Sequence, residues 1–198
     1  MNAPKTLLQM AGADLTPCAI SGSAIVIIDA QREYVDGKLP LTGVAPALDK
    51  IAKLLTRARA AGALVIHIAH QGKAGGAFDP AGPGGAIADE AAAAKGEAII
   101  SKTLPNAFAG TDLQKALEEK GAKQLILAGF MTHMCVSSTA RAALDLGYRT
   151  TVVSDAAATR DLPGPSGGVI KADALHMAAL AALADRFAIV APLERIPE

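Results

Sequence analysis

Short apolar runs alternate with amphipathic stretches along most of this chain, and that alternation limits its fold more than any other feature. Ala24-Ile-Val-Ile-Ile-Asp29 is a continuous β-branched run ending in an acid, the pattern of a strand buried on both faces. From Val44 to Ala61 the apolar positions Val44, Leu48, Ile51, Ala52, Leu55 and Ala58 recur every three or four residues, predicting a helix stopped by Gly62. A second strand is expected at Ala63–Ala69, a third at Glu97–Lys102 and a fourth at Gln124–Ala128, with a fifth at Tyr148–Asp155 and a last at Arg186–Ala191. Helices are expected at Thr111–Lys120, Val136–Leu146 and Val169–Leu183. Strand–helix alternation with right-handed crossovers gives a parallel sheet with helices on both faces, a three-layer α/β/α domain.

The 198 residues suit one domain, 1–198, with no repeat and no linker. Residues 1–22 read as an N-terminal arm, and 71–96 as a long Gly-rich loop near the site, a lid or an oligomer contact. Lys+Arg and Asp+Glu balance at 19 each, which leaves no basic patch for nucleic acid or an anionic membrane. Aromatics are 3% of the chain and Trp is absent, so Ala, Val, Ile and Leu must build the core. No apolar run reaches the roughly 18–20 residues of a membrane span, and no signal core follows Met1. Cys18 and Cys135 lie far apart with no CxxC, so neither a disulfide framework nor a zinc site is expected. These features point to a soluble, cytoplasmic protein. Its Ala- and Gly-rich surfaces suggest a homo-oligomer.

Three residues capable of chemistry fall at strand ends, where doubly wound sheets bind ligands: Asp29, Lys102 and Cys135. Cys135 follows the fourth strand through the turn Gly129-Phe-Met-Thr-His-Met134 and comes at or near the first turn of a helix. Free N–H groups there favour a thiolate and would lower the thiol pKa from about 8.5 into the range of roughly 3.5–7.5. Each residue also has an ordinary reading: Cys135 as a buried hydrophobe, Asp29 as a turn cap, Lys102 as a surface charge. Together, a carboxylate can take the thiol proton, an ammonium can hold that carboxylate ionised, and the thiolate can attack a carbonyl.

These pieces carry a family resemblance. Asp29-Ala-Gln31 with Tyr34, Lys102 with Phe108-Ala-Gly-Thr111-Asp-Leu113, Gly129-Phe-Met-Thr132-His-Met-Cys135 and Asp155-Ala156 occur in order between about Ala24 and Val190. The chain resembles the isochorismatase-like cysteine hydrolases, which include nicotinamidase and N-carbamoylsarcosine amidohydrolase. The resemblance implies a six-stranded, mainly parallel, doubly wound sheet of order 3-2-1-4-5-6 and a triad Asp29–Lys102–Cys135. It further implies a cis peptide at Phe130–Met131 and an oxyanion hole from the N–H groups of Met131 and Cys135. The activity implied is hydrolysis of a small amide, ureide or lactam C–N bond through a thioester. A catalytically silent relative serving as a binding or scaffold subunit is the alternative.

The chain departs from nicotinamidases where they carry Asp-x-His after strand two: His70-Gln-Gly-Lys73 stands there. His67 and His70 are three apart beside a strand, where i and i+3 face opposite ways, so no metal site and no cofactor are expected. His67 reads as a core histidine and His70 as a pocket or loop residue. Tyr34, Phe78, Phe108 and His133 are the candidate substrate-binding residues, with Met131 a further possible wall, and Arg32, Lys73 and Arg160 are the cations flanking the site. A dinucleotide fold would need Gly-x-Gly-x-x-Gly after strand one, and a serine hydrolase Gly-x-Ser-x-Gly; neither occurs. An aspartyl phosphatase would need a second acid two residues after Asp29, where Gln31 stands.

Overall fold

The computed structural model describes residues 3–198. Eight strands run in chain order: β1 Ala24–Ile28, β2 Leu64–His70, β3 Ala98–Lys102, β4 Gln124–Phe130, β5 Arg149–Ala158, β6 Leu162–Pro163, β7 Val169–Ile170 and β8 Ile189–Ala191. Six form one parallel sheet of order β3-β2-β1-β4-β5-β8. That is the expected 3-2-1-4-5-6 once the two-residue pair β6–β7, a separate antiparallel hairpin, is set aside.

The helices are α1 Leu7–Met10, α2 Val44–Ala60, α3 Leu113–Glu119, α4 Ser137–Asp145 and α5 Ala172–Arg186. All five residues of β1 are buried, and they alternate between two apolar layers. Ile25 and Ile27 pack with Leu48, Ile51 and Leu55 of α2 on one face. Val26 and Ile28 pack with Leu113 of α3, Ala140 of α4 and Leu183 of α5 on the other. Each fully buried Ile or Leu contributes roughly 1.5–3 kcal/mol, so this central strand is a major source of stability and a rigid base for whatever follows it. Among the described residues no helix is long and apolar enough to cross a membrane.

Several expected boundaries move: strand four runs on to Phe130, the last helix extends to Arg186 and the last strand begins only at Ile189. Strand five does not stop at Asp155 but continues to Ala158, and part of the segment read as a polar loop over 156–168 is the hairpin strand β6. Helix α5 begins at Ala172 rather than Val169, because Val169 and Ile170 pair with Leu162 and Pro163. Asp161 accepts the Ala172 N–H at 2.8 Å and so caps the helix from a distance. A period-based reading counts Val169 and Ile170 as helical because it does not see the partner strand.

The Gly-rich segment is latched down. Gln31 bridges to Ile87, the Ala88 N–H donates to the Ala30 carbonyl at 2.8 Å, and the Arg32 N–H donates to the Ala86 carbonyl at 2.9 Å. Glu33, 3% exposed, accepts from the N–H groups of Lys38 (2.7 Å) and Phe78 (3.3 Å). The segment therefore lies against the loop leaving β1, beside the carboxyl end of the sheet.

Candidate active site

The sheet order puts β1 at its centre, between β2 and β4, all three parallel, and the order in which strands are added reverses at the β1–β4 seam. Asp29 follows the last residue of β1 with φ of 48°, a left-handed conformation that Asp tolerates better than most residues, and its N–H donates to the Ile68 carbonyl at 2.9 Å. Cys135 lies beyond the end of neighbouring β4. Lys102 ends β3, two strands away, about 9.5 Å at the usual strand spacing. Its long stem spans that gap. Lys102 Nζ lies 2.6 Å from Asp29 Oδ2 and 3.4 Å from Cys135 Sγ. All three residues are buried, at 0%, 2% and 3% exposure for Asp29, Lys102 and Cys135. The sheet thus brings together the three strand-end residues that the sequence singled out.

The turn before Cys135 depends on Gly129, whose φ is 115°. A Cβ there would stand 2.7 Å from the Ile28 nitrogen and closer still to its carbonyl oxygen, so β1 and β4 approach too tightly for a side chain. The Phe130–Met131 peptide is cis. Thr132–Val136 then form a single π-helical turn that leads into α4, so Cys135 sits just ahead of the helix rather than inside its first turn.

The expected low thiol pKa does not occur. Burial pushes the Cys135 thiol up to about 12; the Asp29 carboxylate adds to the rise, and the Lys102 ammonium opposes it. Removal from water outweighs the Lys102 charge. Burial likewise raises the Asp29 carboxyl above its ordinary value, with Lys102 pulling it back. The thiol is therefore protonated before substrate arrives, beside a carboxylate held by an ammonium.

Tyr34 and Phe78 meet edge to face at 5.0 Å, and Tyr34 meets Phe130 at 5.8 Å. Burial raises the Tyr34 hydroxyl pKa, and the neighbouring ionisable groups of Cys135 and Asp29 raise it further, which places this aromatic wall beside the triad. Phe78 holds φ of 56°, unusual for a bulky residue and maintained by the Glu33 latch. His133 Nδ1 lies 2.6 Å from Thr159 Oγ1, tying the cysteine turn to the end of β5.

Phe108 is not brought to the site. Its ring stacks on Tyr148 at 5.8 Å, at the amino end of β5, so its assignment as a pocket wall is corrected. Asp155 accepts from Leu193 N–H at 2.8 Å and pairs with Lys50 at 2.7 Å, on the α2 side. Of the three flanking cations, Arg32 pairs with Asp36 at the surface, and Lys73 lies exposed in the Gly-rich segment. Arg160 is half-buried, and its buried Nε has no acceptor. Its charge lowers the His133 pKa, behind the larger effect of burial, so its guanidinium stands near the cysteine turn.

Sequence reasoning missed several supports. Gln31 clamps the end of β2, taking the His70 N–H at 2.8 Å while donating to the His70 carbonyl at 3.0 Å and the Gly85 carbonyl at 2.9 Å. Thr132 Oγ1 meets His176 Nδ1 of α5 at 2.9 Å. His67 is 1% exposed and bonds Glu97 at 2.9 Å, the core histidine expected. Among the described residues no three His, Cys, Asp or Glu side chains gather as metal ligands. Surface grooves of about 430 and 370 Å³ lie along α2 and beside the amino end of β5, and neither contains a triad residue. Chemistry, not volume, locates the site.

A family model described as an isochorismatase domain matches residues 23–195. The chain belongs to the isochorismatase family. A solved structure of an isochorismatase from Pseudomonas putida KT2440 is 45% identical, superimposes with a TM-score of 0.94, and shares 98% of this chain and 100% of its own. A secreted isochorismatase effector of Verticillium dahliae is 39% identical over 180 residues, 90% of this chain and 92% of that protein. A maleamate amidohydrolase of Pseudomonas putida is 31% identical over 154 residues, 69% of this chain and 72% of its own. The family-model match spans β1 to β8, so it includes every strand end that supplies the site.

Proposed function

We propose that this isochorismatase-family hydrolase cleaves a small amide, ureide or lactam C–N bond through a thioester on Cys135, with no metal. The observation that carries the reading is the buried contact set of Lys102 with Asp29 at 2.6 Å and Cys135 at 3.4 Å. The amidohydrolase name of one relative supports the bond type. Asp29 takes the thiol proton as Sγ attacks the carbonyl carbon. The resulting oxyanion is held by the N–H groups of Met131 and Cys135, where one such donor is typically worth about 2.7–4 kcal/mol. Asp29 then hands its proton to the departing nitrogen, leaving a thioester and a free amine. Water attacks next, giving its proton to Asp29, and collapse releases the acid and returns that proton to sulfur.

The high resting pKa of the thiol fits this order of events, because the thiolate forms only when an electrophile is in place to take its charge. Tyr34 and Phe78 supply a mainly apolar wall, and the Arg160 guanidinium stands near the cysteine turn. The test is a screen of small amides, ureides and lactams for release of ammonia, amine or acid, followed by mass spectrometry of enzyme quenched during turnover. An acyl adduct on Cys135 and complete loss of activity in Cys135→Ala are expected. An adduct on Cys18, or undiminished turnover in Cys135→Ala, would sink the proposal.

A further inference from the structure

An ammonium carries three protons and no acceptor, and each proton removed from water without a partner is costly. The Lys102 side chain is 0% exposed, so all three must be met inside the protein. Asp29 Oδ2 meets one at 2.6 Å and Cys135 Sγ a second at 3.4 Å. The third neighbour is His70 Nδ1, at 3.3 Å. His70 lies directly in the path of the lysine stem: it ends β2, the strand Lys102 must cross, and it is the register partner of Lys102 itself.

We propose that His70 is a positioning residue of the site, a neutral acceptor that takes the third proton of the Lys102 ammonium and so aims the other two at Asp29 and Cys135. The inference rests on the hydrolase reading above for its effect on turnover, but not for its effect on the thiol. Only an imidazole unprotonated at Nδ1 can accept, which fixes the tautomer with hydrogen on Nε2. Burial lowers the His70 pKa and the adjacent Lys102 charge lowers it further, so the ring is neutral at pH 7. The ring is held for this task. Gln31 grips the His70 backbone from both sides, and Phe78 packs against the ring at 5.2 Å and 71°. A ring so fixed offers Nδ1 in one direction, and the flexible end of Lys102 settles against it.

Two substitutions separate this role from mere packing. His70→Asn keeps an acceptor close to the Nδ1 position, whereas His70→Leu keeps bulk and removes it. The first readout is the rate of Cys135 alkylation by iodoacetamide against pH, followed by mass spectrometry. His70→Leu should raise the apparent pKa of that reaction by at least one unit, roughly a tenfold slower rate at neutral pH, and His70→Asn should stay within a factor of about three of wild type. The second readout is kcat against KM: His70→Leu should lower kcat at least tenfold with KM little changed, since the imidazole acts through Lys102 and not on substrate. Nitrogen NMR of the wild-type protein, which needs no variant to fold, should find His70 neutral with its proton on Nε2. A profile in His70→Leu that overlays wild type, equal damage in both variants, or a proton on Nδ1 would overturn the proposal. Absent turnover in wild type with the alkylation contrast intact would overturn the hydrolase reading and leave this one standing.

Discussion

Replacing Lys102 by Met keeps the length of the stem and removes, among the described residues, the only cation in contact with Asp29. Both side chains of the pair are 0% exposed and 2.6 Å apart. Breaking a buried pair by deleting one partner typically costs about 3–5 kcal/mol, because the surviving charge has neither water nor a counter-ion. Asp29 has one escape, which is to take up a proton. Its carboxyl is already raised by burial, and Lys102 is the main influence opposing that rise. Without Lys102 the folded-state value climbs further above the unfolded one. A carboxyl raised in the folded state favours folding where it is protonated, and that contribution is lost as pH rises through the folded value. The deficit of Lys102→Met against wild type should therefore be largest at pH 8 and shrink on acidification. The slope is at most about 1.4 kcal/mol per pH unit, over the interval between the two Asp29 values. Urea unfolding of wild type, Lys102→Met and the double variant Asp29→Asn/Lys102→Met at pH 5, 6, 7 and 8 measures this directly. The double variant, with neither charge of the pair left, should recover most of the loss and show no such slope. A deficit below about 0.5 kcal/mol at pH 7, as for a surface lysine, would refute the argument, as would a deficit independent of pH.

Two further outcomes follow from geometry elsewhere in the chain. Gly129→Ala should destabilise by at least about 1–3 kcal/mol from its φ of 115° alone, with the approach to Ile28 adding to the cost, so a wild-type unfolding midpoint would contradict the reading of the β1–β4 seam. Glu97 is held down to about 2 by its Arg59 hydrogen bonds, with the Ala94 N–H and His67 assisting against burial. A carboxyl depressed from 4.5 in this way stabilises the fold above pH 4.5, by about 1 kcal/mol once solvent screening of the partly exposed Arg59 pair is allowed for, and the contribution disappears as pH falls through about 2. Glu97→Gln should therefore lose stability at pH 7 but unfold in acid much as wild type does; equal losses at pH 7 and pH 2, read by circular dichroism, would rule this out.

Much of the site is legible in the sequence, because its principal residues sit at or just beyond strand ends. Asp29 and Lys102 each close a β-branched run, Cys135 follows an aliphatic one through a tight turn, and a doubly wound sheet collects such ends along one edge. Phe108 shows where that logic fails. It belongs to a loop that leaves the same edge, but the chain descends before reaching it, and the ring finds Tyr148 at the opposite end of β5. His70 shows the reverse failure. Its spacing from His67 suggested only that the two could not share a metal, and nothing local marks it as the third partner of an ammonium three decades of residues away.

The sequence alone determined the architecture. Apolar periodicity records which residues must leave water, and continuous β-branched runs can be covered only between two helical layers. It also determined the candidate chemistry, since nucleophile, acid and cation are fixed by residue type. Tertiary structure decided what those groups are like. A thiol pushed up to about 12 instead of down, a carboxyl raised instead of ordinary, and a histidine turned into an acceptor all depend on burial and on neighbours brought in from other strands. Desolvation and Coulomb interactions act through space over a few ångströms, and the distances that set them exist only once the sheet has assembled.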